Sequence, residues 1–89
     1  MKQSIIKYVI TDPFAKVFWV RTSAYGFALN YQIVFTKHLV DANFMSSEEA
    51  TETLKRFFEF KHVIQDEDTK VDKRDLVISP IIITYEQDS

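Results

Sequence analysis

The 89-residue chain contains no cysteine and only one glycine, and these two scarcities exclude several kinds of functional site. Without cysteine there is neither a disulfide framework nor a thiolate site for a metal. A single glycine cannot form any of the glycine-rich loops that hold phosphate groups. Because the lack of cysteine fits a reducing compartment, we expect a cytoplasmic protein.

Excess charge of one sign and long apolar runs are also missing. The 11 basic and 13 acidic residues give a formal net charge of −2, so the chain lacks the overall positive field that attracts nucleic acid. The basic residues are scattered among acids and form no stripe. No apolar run approaches the ~20 residues of a membrane span. We therefore expect neither a direct nucleic-acid partner nor a membrane partner.

Apolar side chains are abundant, and most of them fall in strand patterns. The 46% hydrophobic content, with eight phenylalanines, indicates a packed core, which we assign to one domain covering residues 1–89. Asp12-Pro13 is typical of a turn, and Pro80 predicts that the last strand is bulged or lies at a sheet edge. The strands are predicted at Ile5 to Thr11, Val17 to Thr22, Gln32 to Phe35, His62 to Gln65 and Leu76 to Glu86.

The stretch from Ser46 to Glu59 predicts the one main helix. Ser46 is a good N-cap, and Glu49 completes a capping box in which its carboxylate returns to the Ser46 backbone N–H. One apolar stripe at helical spacing contains Ala50, Leu54, Phe57 and Phe58. Because both phenylalanines must bury, we predict an α+β fold: a mostly antiparallel sheet of four to five strands, with this helix packed across one face.

The sequence shows no recognisable active site. His38 precedes Asp41 by three residues, a spacing that could bind a metal, and His62 starts a predicted strand. For both histidines an ordinary, non-ligand role is favoured over a metal-ligand role, and we assign no metal site. No serine lies in a G-x-S-x-G signature, and Glu48 and Glu49 fit the start of a helix. We predict a non-enzymatic protein without a cofactor.

A group of aromatic residues is the first candidate for partner binding. Ser23 to Tyr31 connects two predicted strands and is unusually aromatic. The group can belong to the core, or it can form a protein-binding patch, since tyrosine and tryptophan dominate interface hot spots. Its members are Trp19, Tyr25, Phe27 and Tyr31.

The charged segment Asp66 to Asp75 is the second candidate. It lacks the glycine and the terminal glutamate of a calcium loop. It is either a solvated connection or a contact surface for a basic partner. The acidic residues concerned are Asp66, Glu67, Asp68 and Asp72.

Two predicted strands are apolar on both faces, Val17 to Thr22 and Leu76 to Tyr85. A strand of this kind is covered on both sides or lies at an interface. One hypothesis is therefore a small structural or accessory module that forms a homodimer through these strands.

The chain opens with a Tyr8-Val9-Ile10-Thr11 strand, and Phe35-Thr36, Leu39, Asp41-Ala42 and Phe44 later lead into Ser47-Glu48-Glu49-Ala50. In this pattern the chain resembles small, mostly uncharacterised proteins of phages and prophages of Gram-positive bacteria. Some phage proteins of this size inhibit host defence, including anti-CRISPR proteins that block an RNA-guided nuclease. The resemblance implies that this chain binds and inhibits a host protein by steric occlusion, with its aromatic and acidic candidates in contact with the target.

Overall fold

Five strands and one long helix are present among the described residues, as predicted. The computed structural model describes residues 2–25, 30–59, 62–65, 71 and 73–86, with side chains at 2–23, 32–59, 71 and 74–86. Short 3-10 helices precede α1 (Leu39–Asp41) and β5 (Lys73–Asp75). The main elements are β1 (Lys2–Asp12), β2 (Val17–Tyr25), β3 (Asn30–Thr36), α1 (Ser47–Glu59), β4 (His62–Gln65) and β5 (Val77–Glu86).

The strands form one sheet in the order β4-β3-β2-β1-β5. Only the β3–β4 pair is parallel, and the other three pairs are antiparallel. The predicted α+β fold with a mostly antiparallel sheet is therefore confirmed. β5 lies at the edge of the sheet, where a strand containing Pro80 is expected.

The turn between β1 and β2 is built by Asp12, which is 2% exposed. Its Oδ1 atom accepts hydrogen bonds from the backbone N–H groups of Phe14 (2.9 Å) and Ala15 (3.2 Å). Its carbonyl accepts from the N–H of Lys16 at 2.8 Å, and Lys16 has the left-handed φ of 57°. One carboxylate thus fixes the connection and the hairpin register.

Replacing Asp12 by alanine leaves two part-buried N–H groups without their acceptor. We expect this to cost about 1–3 kcal/mol of unfolding free energy. Asp12→Asn keeps a side-chain oxygen in the same position and should cost clearly less. Urea denaturation of both variants measures the difference, and equal losses would contradict the role given to this oxygen.

Helix α1 begins after the predicted cap. The Glu49 N–H donates to Ser46 Oγ at 3.2 Å, as a capping box requires. The Glu49 carboxylate accepts from the Ser46 hydroxyl, also at 3.2 Å, and not from the Ser46 backbone N–H as predicted. The cap is thus built from one backbone bond and one bond between side chains.

The buried stripe of α1 is narrower than predicted. Ala50 and Phe57 are buried and Leu54 packs against the core, but Phe58 is 56% exposed. The prediction that both phenylalanines bury was wrong for Phe58. At 100° per residue, Phe57 lies within about 20° of Ala50 around the helix, whereas Phe58 is turned away by about 80°.

The core lies between α1 and one face of the sheet. The rings of Trp19 and Phe57 meet edge to face, with their centroids 5.6 Å apart. The pairing of β2 with β3 is irregular between Trp19 and Arg21, and Trp19 Nε1 donates to Thr22 Oγ1 at 3.2 Å. The buried core residues are Ile10, Val17, Trp19, Ile33, Phe35, Met45, Ala50, Phe57, Val71 and Leu76.

Candidate protein-binding surface

The sheet divides between β1 and β2. These strands pair only next to their turn, at Thr11 with Phe18 and Asp12 with Val17. Further along β1, the place of β2 is taken by Met45: Tyr8 N–H donates to the Met45 carbonyl (2.8 Å), and Met45 N–H donates to the Tyr8 carbonyl (2.9 Å). The segment before α1 therefore separates the two strands.

Beyond this division β1 and β5 continue together as a two-stranded ribbon. We call residues Lys2 to Tyr8 and Pro80 to Glu86 the ribbon; they are paired from Lys2 with Glu86 to Tyr8 with Pro80. The molecule measures 51 × 23 × 21 Å, and its radius of gyration is 14.7 Å. A compact domain of this length has a radius of gyration of about 12 Å. The elongated shape fits a ribbon that projects from the core.

Both faces of the ribbon carry exposed isoleucines. Ile6 and Ile82 are directly paired on the face that also carries the core residue Ile10, yet they are 58% and 70% exposed. On the opposite face, Ile5 pairs with Ile83, and Ile5 is also exposed. Large apolar side chains that are exposed side by side in this way are candidates for an interaction site. The ribbon is therefore the strongest candidate binding surface in the described part of the chain.

In the ranges that the structure describes, the outer edge of β5 is open as well. Because both backbone groups of Tyr8 bond to Met45, they point away from β5, and the Tyr8–Pro80 pair is not hydrogen-bonded. The missing N–H of Pro80 thus costs no bond between the strands. Along a strand, successive residues direct their backbone N–H and C=O groups to opposite edges. The N–H and C=O groups of Ile82, Thr84 and Glu86 therefore face the outer edge, away from β1. No strand in the described ranges pairs with them.

The structure separates the aromatic candidates. Trp19 is only 8% exposed and packs on Phe57, so it follows the core interpretation. Most of the predicted connection is strand: Tyr25 ends β2 opposite Asn30, and Tyr31 in β3 pairs with Ala24. The side chains of Tyr25 and Tyr31, and all of Phe27, lie outside the described residues.

Of the acidic candidates and the two histidines, the structure describes the whole of His38 and the backbone of His62, which begins β4 as predicted. Asp66, Glu67, Asp68 and Asp72 lie outside the described residues, as does the side chain of His62. His38 is exposed and precedes the first 3-10 helix without capping it through its side chain.

The described part of the chain contains no cluster of three or more His, Cys, Asp or Glu side chains that could hold a metal ion. An open depression of about 360 Å³ on α1 is lined by helix side chains, namely Glu48, Glu49, Glu52, Thr53 and Arg56. No helix in the ranges described is long and apolar enough to cross a membrane.

The sequence contained one signal for the ribbon. Consecutive isoleucines, at 5–6 and at 81–83, place apolar side chains on both faces of a strand. The part of this pattern that was recognised is the prediction that the strand Leu76 to Tyr85 is apolar on both faces. The matching pair in β1 was missed, because Ile6, Tyr8 and Ile10 alone look like one ordinary buried face.

Fold and surface together define an α+β domain with a projecting, two-sided apolar ribbon. Comparison of the chain with protein-family models, curated proteins and solved structures gave no match. The function is therefore argued from the ribbon and from the residues around it.

Proposed function

We propose that this protein acts by binding another protein through the ribbon and catalyses no reaction itself. The observation that carries the proposal is the exposed Ile6–Ile82 pair, backed by Ile5 and Ile83 on the other face. Burying apolar surface contributes about 25 cal/mol per Å², and in the isolated chain Ile5, Ile6 and Ile82 are exposed while Ile83 is half-buried. A partner that covers them gains this free energy without any rearrangement of the core.

The partner class that we propose is a host protein in the cytoplasm of a bacterium. The resemblance to small phage and prophage proteins supports this choice, and its most specific form is an anti-CRISPR inhibitor of an RNA-guided nuclease. A projecting ribbon is suited to steric occlusion because it can enter a groove that the core cannot. The formal charge of −2 gives no repulsion from the basic channel in which such a nuclease holds nucleic acid.

A tagged pull-down from a Gram-positive host with an active CRISPR system tests the proposal. The unchanged chain is compared with a double variant, Ile6→Lys with Ile82→Lys. Val40→Lys serves as the control, because Val40 is 83% exposed but lies on the 3-10 helix before α1. We expect one stoichiometric partner with the unchanged chain and the control, and its loss with the double variant. Equal capture by all three would overturn the proposal.

The acidic candidates supply a separate prediction for the same partner. Reversing the charge at Asp66, Glu67, Asp68 and Asp72 should slow association and weaken binding, because these residues would then repel a basic surface. The effect should shrink at high salt, where charges are screened. Surface plasmon resonance at two salt concentrations measures both quantities. An unchanged association rate would remove the acidic segment from the binding surface.

A second candidate function is that of a structural or accessory module that works as a homodimer without inhibiting a host protein. The open outer edge of β5 is the observation that favours it. A dimer that captures no host partner would favour this candidate over the inhibitor.

A further inference from the structure

We infer that two copies of this chain pair through the outer edge of β5, antiparallel and over residues 80–86, to form one continuous sheet. The inference rests on the proposed function, because the joined ribbons would be the surface that binds. Its starting point is the backbone of β5. The N–H groups of Ile82, Thr84 and Glu86 face outward with their carbonyls, and such a row is a template for another strand.

The chemistry of β5 points to a second copy as the occupant. From Val77 to Tyr85 the strand carries no charged side chain, so a copy can approach it without like-charge repulsion. When the two-fold axis passes through Ile83, the two Glu86 residues lie six positions apart, or about 20 Å along the strands. That distance exceeds twice the Debye length of about 8 Å at physiological ionic strength.

This register also satisfies the outward donors. Ile82 pairs with Thr84 of the second copy, in both directions, and each Glu86 N–H donates to a Pro80 carbonyl. Pro80 has no N–H to offer, so the regular pairing stops there. On the face turned away from the core, Ile83 meets its own copy and Ile81 meets Tyr85. Shifting the axis to Ile82 would instead place the small polar Ser79 opposite Tyr85.

Pairing would remove a weakness of the isolated ribbon. A two-stranded ribbon by itself is at best marginally stable in water. Two joined ribbons make a four-stranded sheet in the order β1-β5-β5-β1. Each face then carries isoleucines from both copies, with Ile6 and Ile82 on one side and Ile5 and Ile83 on the other. Joining the ribbons doubles the area of the face available to a host protein. The two β1 strands are then the edges of the four-stranded sheet.

The test uses two substitutions at Thr84, an exposed outward position. Thr84→Pro removes the outward N–H and should spare the bonds to β1, as Pro80 does in the natural strand. Thr84→Val is the matched control: it also loses the hydroxyl contact with Ser4 Oγ (3.3 Å) but keeps the N–H. Analytical ultracentrifugation over a concentration series measures self-association, and circular dichroism checks that each variant is folded.

We expect the unchanged chain and Thr84→Val to dimerise, and Thr84→Pro to associate at least about tenfold more weakly, a change in Kd that corresponds to 1.4 kcal/mol. The Ile83→Cys variant should cross-link two copies on mild oxidation, because opposed Cα atoms about 4.5 Å apart suit a disulfide. Val40→Cys should not cross-link. A monomeric unchanged chain, or dimerisation of Thr84→Pro equal to that of Thr84→Val, would overturn the inference.

Pairing through β5 and host binding through the ribbon can be refuted separately. A monomer that still captures a host protein through Ile6 and Ile82 refutes pairing and leaves the proposed function intact. A dimer whose Ile6→Lys, Ile82→Lys variant captures the host protein unchanged supports pairing and refutes the binding role of the ribbon.

Discussion

Phe57→Ala is expected to destabilise the protein by about 3–5 kcal/mol, the usual cost of emptying a buried phenylalanine site. The side chain is 1% exposed, and its ring packs edge to face on Trp19. Phe57 lies in the interface between α1 and the sheet, so the substitution removes apolar contacts between the helix and the sheet. Because small domains have about 5–15 kcal/mol of stability in total, a large share of the variant should be unfolded at moderate temperature.

The neighbouring residue supplies the control. Phe58 has the same side chain in the same helix but is 56% exposed. Phe58→Ala should cost no more than about 1 kcal/mol, as most surface substitutions do. Guanidinium denaturation of both variants gives the comparison. A loss in Phe58→Ala as large as that in Phe57→Ala would mean that α1 is packed on a different face.

The second large effect is expected on binding. Replacing Ile6 and Ile82 by lysine places two cations on a surface that a partner must dehydrate. Hot-spot residues at the centre of an interface cost about 2 kcal/mol or more each when they are replaced. If Ile6 and Ile82 are such residues, the affinity for the captured protein falls by at least about a hundredfold. Isothermal titration calorimetry of the unchanged chain and the variant measures this directly.

The stability of the double variant separates loss of binding from loss of fold. Both side chains are mostly exposed, so the free energy of unfolding should fall by no more than about 1 kcal/mol, the scale of the repulsion between two directly paired lysines. Val40→Lys adds one cation at another exposed apolar site and should bind normally. If Val40→Lys lost as much affinity as the double variant, the ribbon would no longer be the preferred surface.

Local sequence rules were sufficient for most of the fold. Strands and helix follow from hydrophobic periodicity, and Ser46 and Asp12 mark a helix start and a turn through their own side chains. Pro80 predicted a bulge or an edge, because a missing N–H is tolerated only where no neighbour needs it, and β5 lies at the edge. Phe58 was wrongly assigned to the buried face because the spacing of apolar residues alone does not show where the buried stripe of a helix ends.

The division of the sheet could not be predicted in this way. It depends on backbone bonds between Tyr8 and Met45, which are far apart in the sequence and need no particular side chain. Once β1 leaves β2, Ile6 and Ile82 extend beyond the core although their pattern is that of a buried face. Trp19 was a plausible interface residue by its type alone. It lies in the core because α1 covers the face of the sheet that carries it, and which face is covered depends on the whole sheet.

Amide hydrogen exchange of the protein, free and bound to its captured partner, tests the ribbon as the binding surface most directly. Burial of an interface slows exchange there, whatever the partner is. We predict added protection in the ribbon, at Lys2 to Tyr8 and Pro80 to Glu86, with the amides of α1 unchanged. Protection confined to α1 or to the turn at Asp12, with the ribbon exchanging as in the free protein, would contradict the proposed binding surface.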